Sequence, residues 1–388
     1  MRWGVGAEPP GRKSVIQQRH YLDHASTSPL RAVAHDVMAR WLDAAAVGDP
    51  SRIHVEGMTA RAAVEDARDQ VASFFGCRSS REVVFTSGAT ESIAAAVWGA
   101  AERGAHQVVP AIEHSAVRES ASAAGEVTVV CVDGVGRVSV DDVVDALRPD
   151  TALVHLQWGN HEVGTVQRVA DVVAECRERK VLVHVDAASA AGHVPIAFTD
   201  IGADLMSVSA HKLGGPPGVG ALLVRRGLRL RPLLLGGDQE RARRAGFENV
   251  PAIAGFGAAC ASIDLDVEAP AARARTDRVL GAVPAWDGVR VYGDPSGRLP
   301  HIVCLGFDGV EPQAVLLGLD RVGVAAHSGS ACSSEALEPS PVLEAMGVDA
   351  HRSLRVSVGW STSDEDIDAF VAALPDVLGQ LRALGVSG

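Results

Sequence analysis

Apolar residues fall at helical spacing from Val33 through Val37 to Trp41, and the pattern repeats from Thr59 to Phe75 with acidic and basic residues between. Spacing of this kind lays one apolar stripe along a helix, so both segments are predicted to be amphipathic helices. Further on the pattern changes. Short apolar runs alternate with longer helical stretches, at Val83 to Phe85, Gln107 to Val109, Val127 to Val132, Ala152 to Leu156, Val181 to Val185, Leu205 to Val208 and Gly220 to Val224. Alternation of strand and helix predicts an α/β fold, and strands with few polar positions are those covered on both faces, as in a mainly parallel sheet. The expected large domain is a three-layer α/β/α sandwich.

Near Asp264 to Ala274 the chain turns acidic and alanine-rich. Beyond it strands are predicted at Val289 to Tyr292 and Ile302 to Phe307, and a helix at Pro312 to Leu319. The organisation read from this is a loose leader at residues 1–18, a large domain at 19–263 whose first segment is free to pack on the small domain, and a smaller α+β domain at 264–388. A length of 388 residues agrees with two domains, because single cores stop growing at roughly 250 to 300 residues.

Charge and cysteine content narrow the function classes. A formal net charge of −12 opposes loose attraction to nucleic acid or anionic membranes, and the Arg225–Arg231 and Arg241–Arg244 runs read as solvated faces. Six cysteines without a CxxC pair fit neither a disulfide framework nor a zinc site, which points to a reducing, cytoplasmic compartment and no metal. The N-terminus lacks a continuous apolar signal-type segment, and no apolar stretch approaches the roughly 18 residues that span a bilayer.

In open α/β sheets ligands bind beyond the carboxyl ends of the strands, so polar residues after apolar runs are the first candidates. Val83 to Ser92 turns through Gly88 into a helix with hydroxyls early on, a form suited to an anion and equally to an ordinary capped helix. Val181 to Asp186 ends a buried-type strand on a carboxylate, which alone reads as a cap or turn residue. Leu205 to Gly218 places Lys212 at a strand end before a rigid Gly-Pro turn, and a poorly solvated lysine is a nucleophile toward carbonyls. Ser328 to Ser334 surrounds Cys332 with small residues, where a structural cysteine usually has apolar neighbours. A phosphate cradle, a carboxylate, a Schiff-base lysine and an accessible cysteine are complementary parts of one mechanism.

YLDHAST at 21–27, FTSGATES at 85–92, the EHSAV segment with His114, HVDAAS at 184–189, SAHKLGGPPGVGAL at 209–222, SGSACSSEALEPS at 328–340 and LRVSVG at 354–359 together resemble the cysteine desulfurases. These belong to the class V aminotransferase group of fold type I pyridoxal-phosphate enzymes. The resemblance implies that Ala89 and Thr90 hold the cofactor phosphate with Ser209 and His211, that Asp186 pairs with the pyridine nitrogen and that Lys212 carries the cofactor. It further implies that His114 stacks on the ring and takes part in proton transfers, that Asn160 and Arg355 bind the substrate, and that Cys332 takes the substrate sulfur as a persulfide. A homodimer and a protein sulfur acceptor follow from the same resemblance.

Three positions depart from that pattern. His161 stands where the family has a second Asn reaching the cofactor hydroxyl, Ser189 replaces a Gln bonded to the same oxygen, and Phe247 replaces a Thr that crosses a dimer interface to the phosphate. Lys212, Asp186, His114, Cys332 and Arg355 remain, so the expectation is a divergent, active desulfurase in a specialised sulfur-transfer pathway. The alternatives are another pyridoxal-phosphate C–S or C–Se lyase, of the selenocysteine lyase kind, and a weakly active scaffold in a sulfur-transfer complex.

Overall fold

The computed structural model describes residues 19–43, 48–328 and 339–385. The leader at 1–18 and Cys332 with its neighbours therefore lie outside the described residues.

A seven-stranded sheet carries the larger core. Its strands are β2 (Val83–Thr86), β3 (His106–Pro110), β4 (Glu126–Val130), β5 (Thr151–Gln157), β6 (Leu182–Asp186), β7 (Leu205–Ser209) and β8 (Gly220–Val224), in the order β2-β8-β7-β6-β5-β3-β4. Strand β8 alone runs against its neighbours, and the other pairings are parallel. The mainly parallel sheet is the one expected. Strands β5 to β8 are buried at every position, which is why they read as mostly apolar runs. The predicted run to Val132 stops at Val130, and Val132 instead bridges Val138 across a turn.

Both predicted N-terminal helices are present, as α1 (Ala32–Asp43) and α2 (Val55–Phe74). Helix α2 starts four residues before the predicted Thr59, because His54 caps it by accepting from Gly57 N at 3.1 Å. Their apolar faces join Phe85 and the helix Val250–Ser262 in the larger core. Helices α3 (Ala89–Ala100) and α4 (Ser115–Ala124) leave the carboxyl ends of β2 and the segment after β3.

A second core lies around the antiparallel sheet β9 (Val289–Tyr292), β10 (Ile302–Phe307) and β12 (Ser353–Ser357), with β10 in the middle. Strand β1 (His20–Tyr21) pairs in parallel with β11 (Val324–Ala325), and the next residue, Leu22, is fully buried in this second core. The start of the chain thus reaches across more than 300 positions to the C-terminal part, a contact that no local pattern announces. Among the described residues no single helix is long and apolar enough to cross a membrane.

Candidate active site

The carboxyl ends of β2, β5, β6 and β7 open into one cavity of about 550 Å³. Strand order accounts for its place, since ligands in open α/β sheets gather beyond the strand ends. Ala89, Thr90, His114, His161, Asp186, Ser189, Ser209, His211, Lys212 and Arg355 all line it.

One wall is the start of α3. Gly88 precedes the helix at φ +152° and supplies no side-chain cap to the N–H groups of the first turn, whose Ala89, Thr90 and Glu91 line the cavity. Strand β8 presses against this turn: a Cβ on Gly220 would lie 2.5 Å from Val208 O and 2.7 Å from Gly88 Cα. Ser87 N donates to Glu91 Oε2 at 2.8 Å, and Arg244 Nε donates to Glu91 Oε1 at 2.9 Å, which fixes the turn from outside. Ser209 Oγ lies 3.7 Å from where a Cβ on Gly88 would stand, and His211 lines the same cavity.

The opposite wall carries the titratable groups. Asp186 ends β6, where its Oδ1 accepts from Ala188 N at 2.9 Å and from Ser207 Oγ at 3.3 Å. His114 caps α4, its Nδ1 accepting from Ala116 N at 3.1 Å, so the neutral ring carries its proton on Nε2. The His114 and His161 rings meet edge to face, with centroids 5.3 Å apart. Lys212 sits in a single turn after β7, with Nζ donating to Ser189 Oγ at 3.4 Å.

Arg355 comes from β12 of the second core. Its Nη2 donates to Asp23 Oδ1 at 2.9 Å and Ser26 Oγ at 2.7 Å, and its Nη1 donates to His161 O at 2.7 Å. Of the guanidinium's five N–H groups, one on Nη1 and that on Nε remain, and Nε has no partner among the described residues.

Burial dominates the acidities. It lowers Lys212 to about 8, with help from the Arg355 charge and against the opposing pull of Asp186 and Asp23. Burial also lowers His211 to about 4 and takes His161 well below the ordinary histidine range, His114 and Lys212 adding to the latter. His114 is lowered by burial, with Asp186 opposing. Near neutral pH the histidine walls are uncharged donors and acceptors, and a usable share of Lys212 is free amine.

Among the described residues expected at the site, Asn160 is the exception, for it does not line the cavity. Its Oδ1 accepts from Glu162 N and Val163 N, both at 2.8 Å, and its Nδ2 donates to Ile112 O and Gln157 Oε1, both at 3.3 Å. The amide is committed to folding the 159–164 turn, and that turn presents His161 to the cavity instead. Phe247 is 66% exposed and away from the cavity lining.

Three residues gained importance only in the structure. Gln157 and His327 line the cavity, and Glu113 is buried beside His114. Burial and the nearby Asp186 push Glu113 up to about 8; its Oε1 accepts from Gln157 N at 2.6 Å and its Oε2 has no partner among the described residues. Glu113 opens the EHSAV segment, but nothing in its sequence neighbours signals a neutral acid.

An α/β enzyme with a poorly solvated lysine and a carboxylate sharing one strand-end cavity is what fold and site define. The chain matches the family described as Aminotransferase class-V over residues 20–370. It is 38% identical over 383 residues to the cysteine desulfurase IscS of Dictyoglomus turgidum, covering 95% of this chain and 97% of that protein. With a cysteine desulfurase of Cereibacter sphaeroides it shares 39% over 386 residues, 96% of this chain and 98% of the other. A solved NifS-like protein superposes with a TM-score of 0.87 at 30% identity, over 94% of this chain and 100% of that one. SspA in complex with cysteine superposes with a TM-score of 0.78 at 29% identity, over 88% and 99%. The chain belongs to the class-V aminotransferase family, within its cysteine desulfurases, and that group is generally dependent on pyridoxal phosphate.

Proposed function

We propose that this chain binds pyridoxal 5′-phosphate in the strand-end cavity and converts L-cysteine to L-alanine, keeping the sulfur as a persulfide on Cys332. The observation that carries the reading is Lys212, an amine that burial lowers to about 8, sharing a cavity with Asp186 and Arg355.

The donor set fits the cofactor. The side-chain-free turn at Gly88, with Ala89 and Thr90 in the first turn of α3, Ser209 beside it and His211 in the same cavity, suits a phosphate dianion. Asp186 Oδ1 is held by Ala188 and Ser207, which leaves Oδ2 for a ring nitrogen. His114 and His161 offer flat faces and N–H donors, Ser189 holds Lys212, and Lys212 supplies the covalent attachment. Bound pyridoxal phosphate supplies an electron sink for the substrate carbon.

The residues of the chain do the rest. Arg355, whose plane Asp23 and Ser26 hold, offers its charge to the substrate carboxylate in the cavity. Lys212 Nζ, as free amine, takes the Cα proton; His114 Nε2 is the neutral group placed to give or take a second proton. Cys332 Sγ, as thiolate, bonds to the substrate sulfur as the C–S bond breaks. The electron pair of that bond stays on carbon, which takes a proton and leaves as alanine. The transfer is internal and needs no outside oxidant.

A homodimer is part of the proposal, supported by the large apolar side chains left open at Leu234 (40% exposed), Leu235 (76%) and Phe247 (66%). A protein sulfur acceptor and a cytoplasmic location complete it; the five free cysteines among the described residues suit a reducing compartment. The test is to load the purified protein with pyridoxal phosphate, add L-cysteine, and assay alanine and persulfide by mass spectrometry beside Lys212→Ala and Cys332→Ser. Alanine with persulfide confined to Cys332, and neither product from Lys212→Ala, is expected. Alanine made equally well by Cys332→Ser would replace the desulfurase with a lyase.

A further inference from the structure

A row of buried polar side chains crosses the middle of the large sheet behind Asp186. Gln107 on β3, His155 on β5, His184 on β6 and Ser207 on β7 are each 3% exposed or less. Gln107 Oε1 lies 2.9 Å from His155 Nε2, His155 Nδ1 lies 3.0 Å from His184 Nδ1, and His184 Nε2 lies 3.1 Å from Ser207 Oγ. Ser207 Oγ lies 3.3 Å from Asp186 Oδ1. Four parallel neighbouring strands thus form an unbroken hydrogen-bonded line that ends on the carboxylate at the cavity. Polar groups so deep in a sheet are costly unless every one is paired, and here each finds its partner on the next strand.

We propose that Gln107, His155, His184 and Ser207 act as one set of positioning residues, wired so that the Ser207 hydroxyl donates to Asp186 Oδ1 and fixes that carboxylate against the cofactor ring. The inference rests on the assignment of Asp186 made above.

Proton counting gives the chain a direction. Burial lowers His184 to about 4, with Asp186 opposing, and takes His155 well below the ordinary range, so each ring carries one proton near neutrality. Two such rings with facing Nδ1 atoms 3.0 Å apart must be opposite tautomers, one donating and one accepting. Ser207 has a single hydroxyl proton and two acceptors within reach, His184 Nε2 and Asp186 Oδ1. If the proton goes to Asp186, His184 donates from Nε2 to Ser207, His155 donates from Nδ1 to His184, and His155 Nε2 must accept. The Gln107 amide then turns its NH₂ toward His155, a rotation that exchanges two atoms of nearly equal size at the same place. If Gln107 keeps its oxygen there, every link reverses and Asp186 loses the hydroxyl. The amide of Gln107, two strands from Asp186, therefore sets whether the carboxylate is held. Asp186 gains most from the first direction, because a hydrogen bond to a charged acceptor is roughly twice as strong as one between neutral groups.

The tautomers can be read without the cofactor, by long-range proton–nitrogen NMR on cofactor-free protein carrying ¹⁵N-histidine. The expected result is His155 protonated on Nδ1 and His184 on Nε2; the reverse pair would overturn the proposal. In the second arm, pyridoxal phosphate affinity is measured by equilibrium dialysis for wild type, Ser207→Ala, Gln107→Leu and the double variant. Ser207→Ala is expected to weaken binding roughly tenfold, the loss of one hydrogen bond to a carboxylate. Gln107→Leu is expected to weaken it less in the wild type and not at all in the Ser207→Ala background. Independent, additive effects would mean four separate structural residues and would sink the chain as a unit. Asp186→Asn binding the cofactor as tightly as wild type would overturn the role given to Asp186 itself, whereas the tautomers decide the direction of the hydrogen bonds whatever that variant does.

Discussion

The acidity of Lys212 is the most direct point at which the site can be tested, because its charged neighbours push it in opposite directions. With the amine lowered from 10.5 to about 8, about a tenth of it is neutral at pH 7, against about 0.03% for a solvated lysine, a ratio of about 300. Burial is the first cause and the Arg355 charge the second, whereas Asp186 and Asp23 raise it. Arg355→Gln removes the repelling charge and also frees Asp23 from its ion pair, so both changes move the Lys212 inflection upward. Asp186→Asn removes an attracting charge and moves it downward. The chain has only three lysines, Lys13, Lys180 and Lys212, and Lys180 is exposed, which gives an internal reference. Competitive acetylation of cofactor-free protein across pH 6 to 11, read by mass spectrometry of each lysine peptide, yields the inflections. Lys212 titrating together with Lys180, or the two variants shifting it in the same direction, would refute the electrostatic account.

Other expectations are independent of that one. Glu113 is held at about 8 against 4.5 in an open chain, so the native state keeps a proton that the unfolded state releases. Its contribution is complete below about pH 4.5 and is lost as pH rises through 8, so Glu113→Gln should flatten the urea-unfolding stability over that window by a few kcal/mol. Glu240→Ala strips Arg68 of a bidentate partner at 2.6 and 2.8 Å and leaves Phe85 N without an acceptor. A loss of about 3–5 kcal/mol in chemical denaturation is expected, and less than about 1 would refute the buried-pair reading. Gly220→Ala pushes a methyl group into the backbone of Val208 and Gly88. It should cost about 1–3 kcal/mol and weaken pyridoxal phosphate binding in equilibrium dialysis; unchanged affinity would remove Gly88 from the phosphate cradle.

Much of the large sheet was legible because its strands are covered on both faces, leaving apolar runs that could be bounded to within a residue or two. Gly220–Val224, Val289–Tyr292 and Ile302–Phe307 end where the pattern ends. The reversed direction of β8 was not legible, since burial leaves the same apolar run whichever way a strand points. The β1–β11 pairing was equally hidden, being two residues long and joining distant parts of the chain. At the site, residues could be proposed from their place near strand ends or from motif, and ten of them do share one cavity. Asn160 could not be placed by its neighbours, because an amide that folds its own turn and one that faces a ligand occupy the same motif. The His155–His184 contact was also out of reach: each histidine looks like an isolated polar residue in an apolar strand until β5 and β6 are laid side by side in register.

That register carries a wider consequence for how the chemistry depends on packing. Lys212 and Asp186 are fixed by adjacent strands of the large sheet, with Lys212 O accepting from Ser28 Oγ at 3.0 Å and Asp186 tied to β7 through Ser207. Arg355 belongs to β12, whose neighbours Leu354 and Val356 are wholly buried in the second core. Its guanidinium enters the cavity only because Asp23, Ser26 and the His161 carbonyl receive it, and these come from the N-terminal segment and the 159–164 turn. The repulsion that helps keep Lys212 neutral is therefore a tertiary property, supplied by one core to a lysine held in the other. Under the mechanism proposed above, substrate capture and proton removal would depend on the same guanidinium, so a change that withdraws Arg355 is expected to weaken the hold on the carboxylate and raise the pKa of the lysine together. By the same proposal, a carboxylate bound there would compensate the Arg355 charge and favour a proton on Lys212 at the step where it takes one from the substrate.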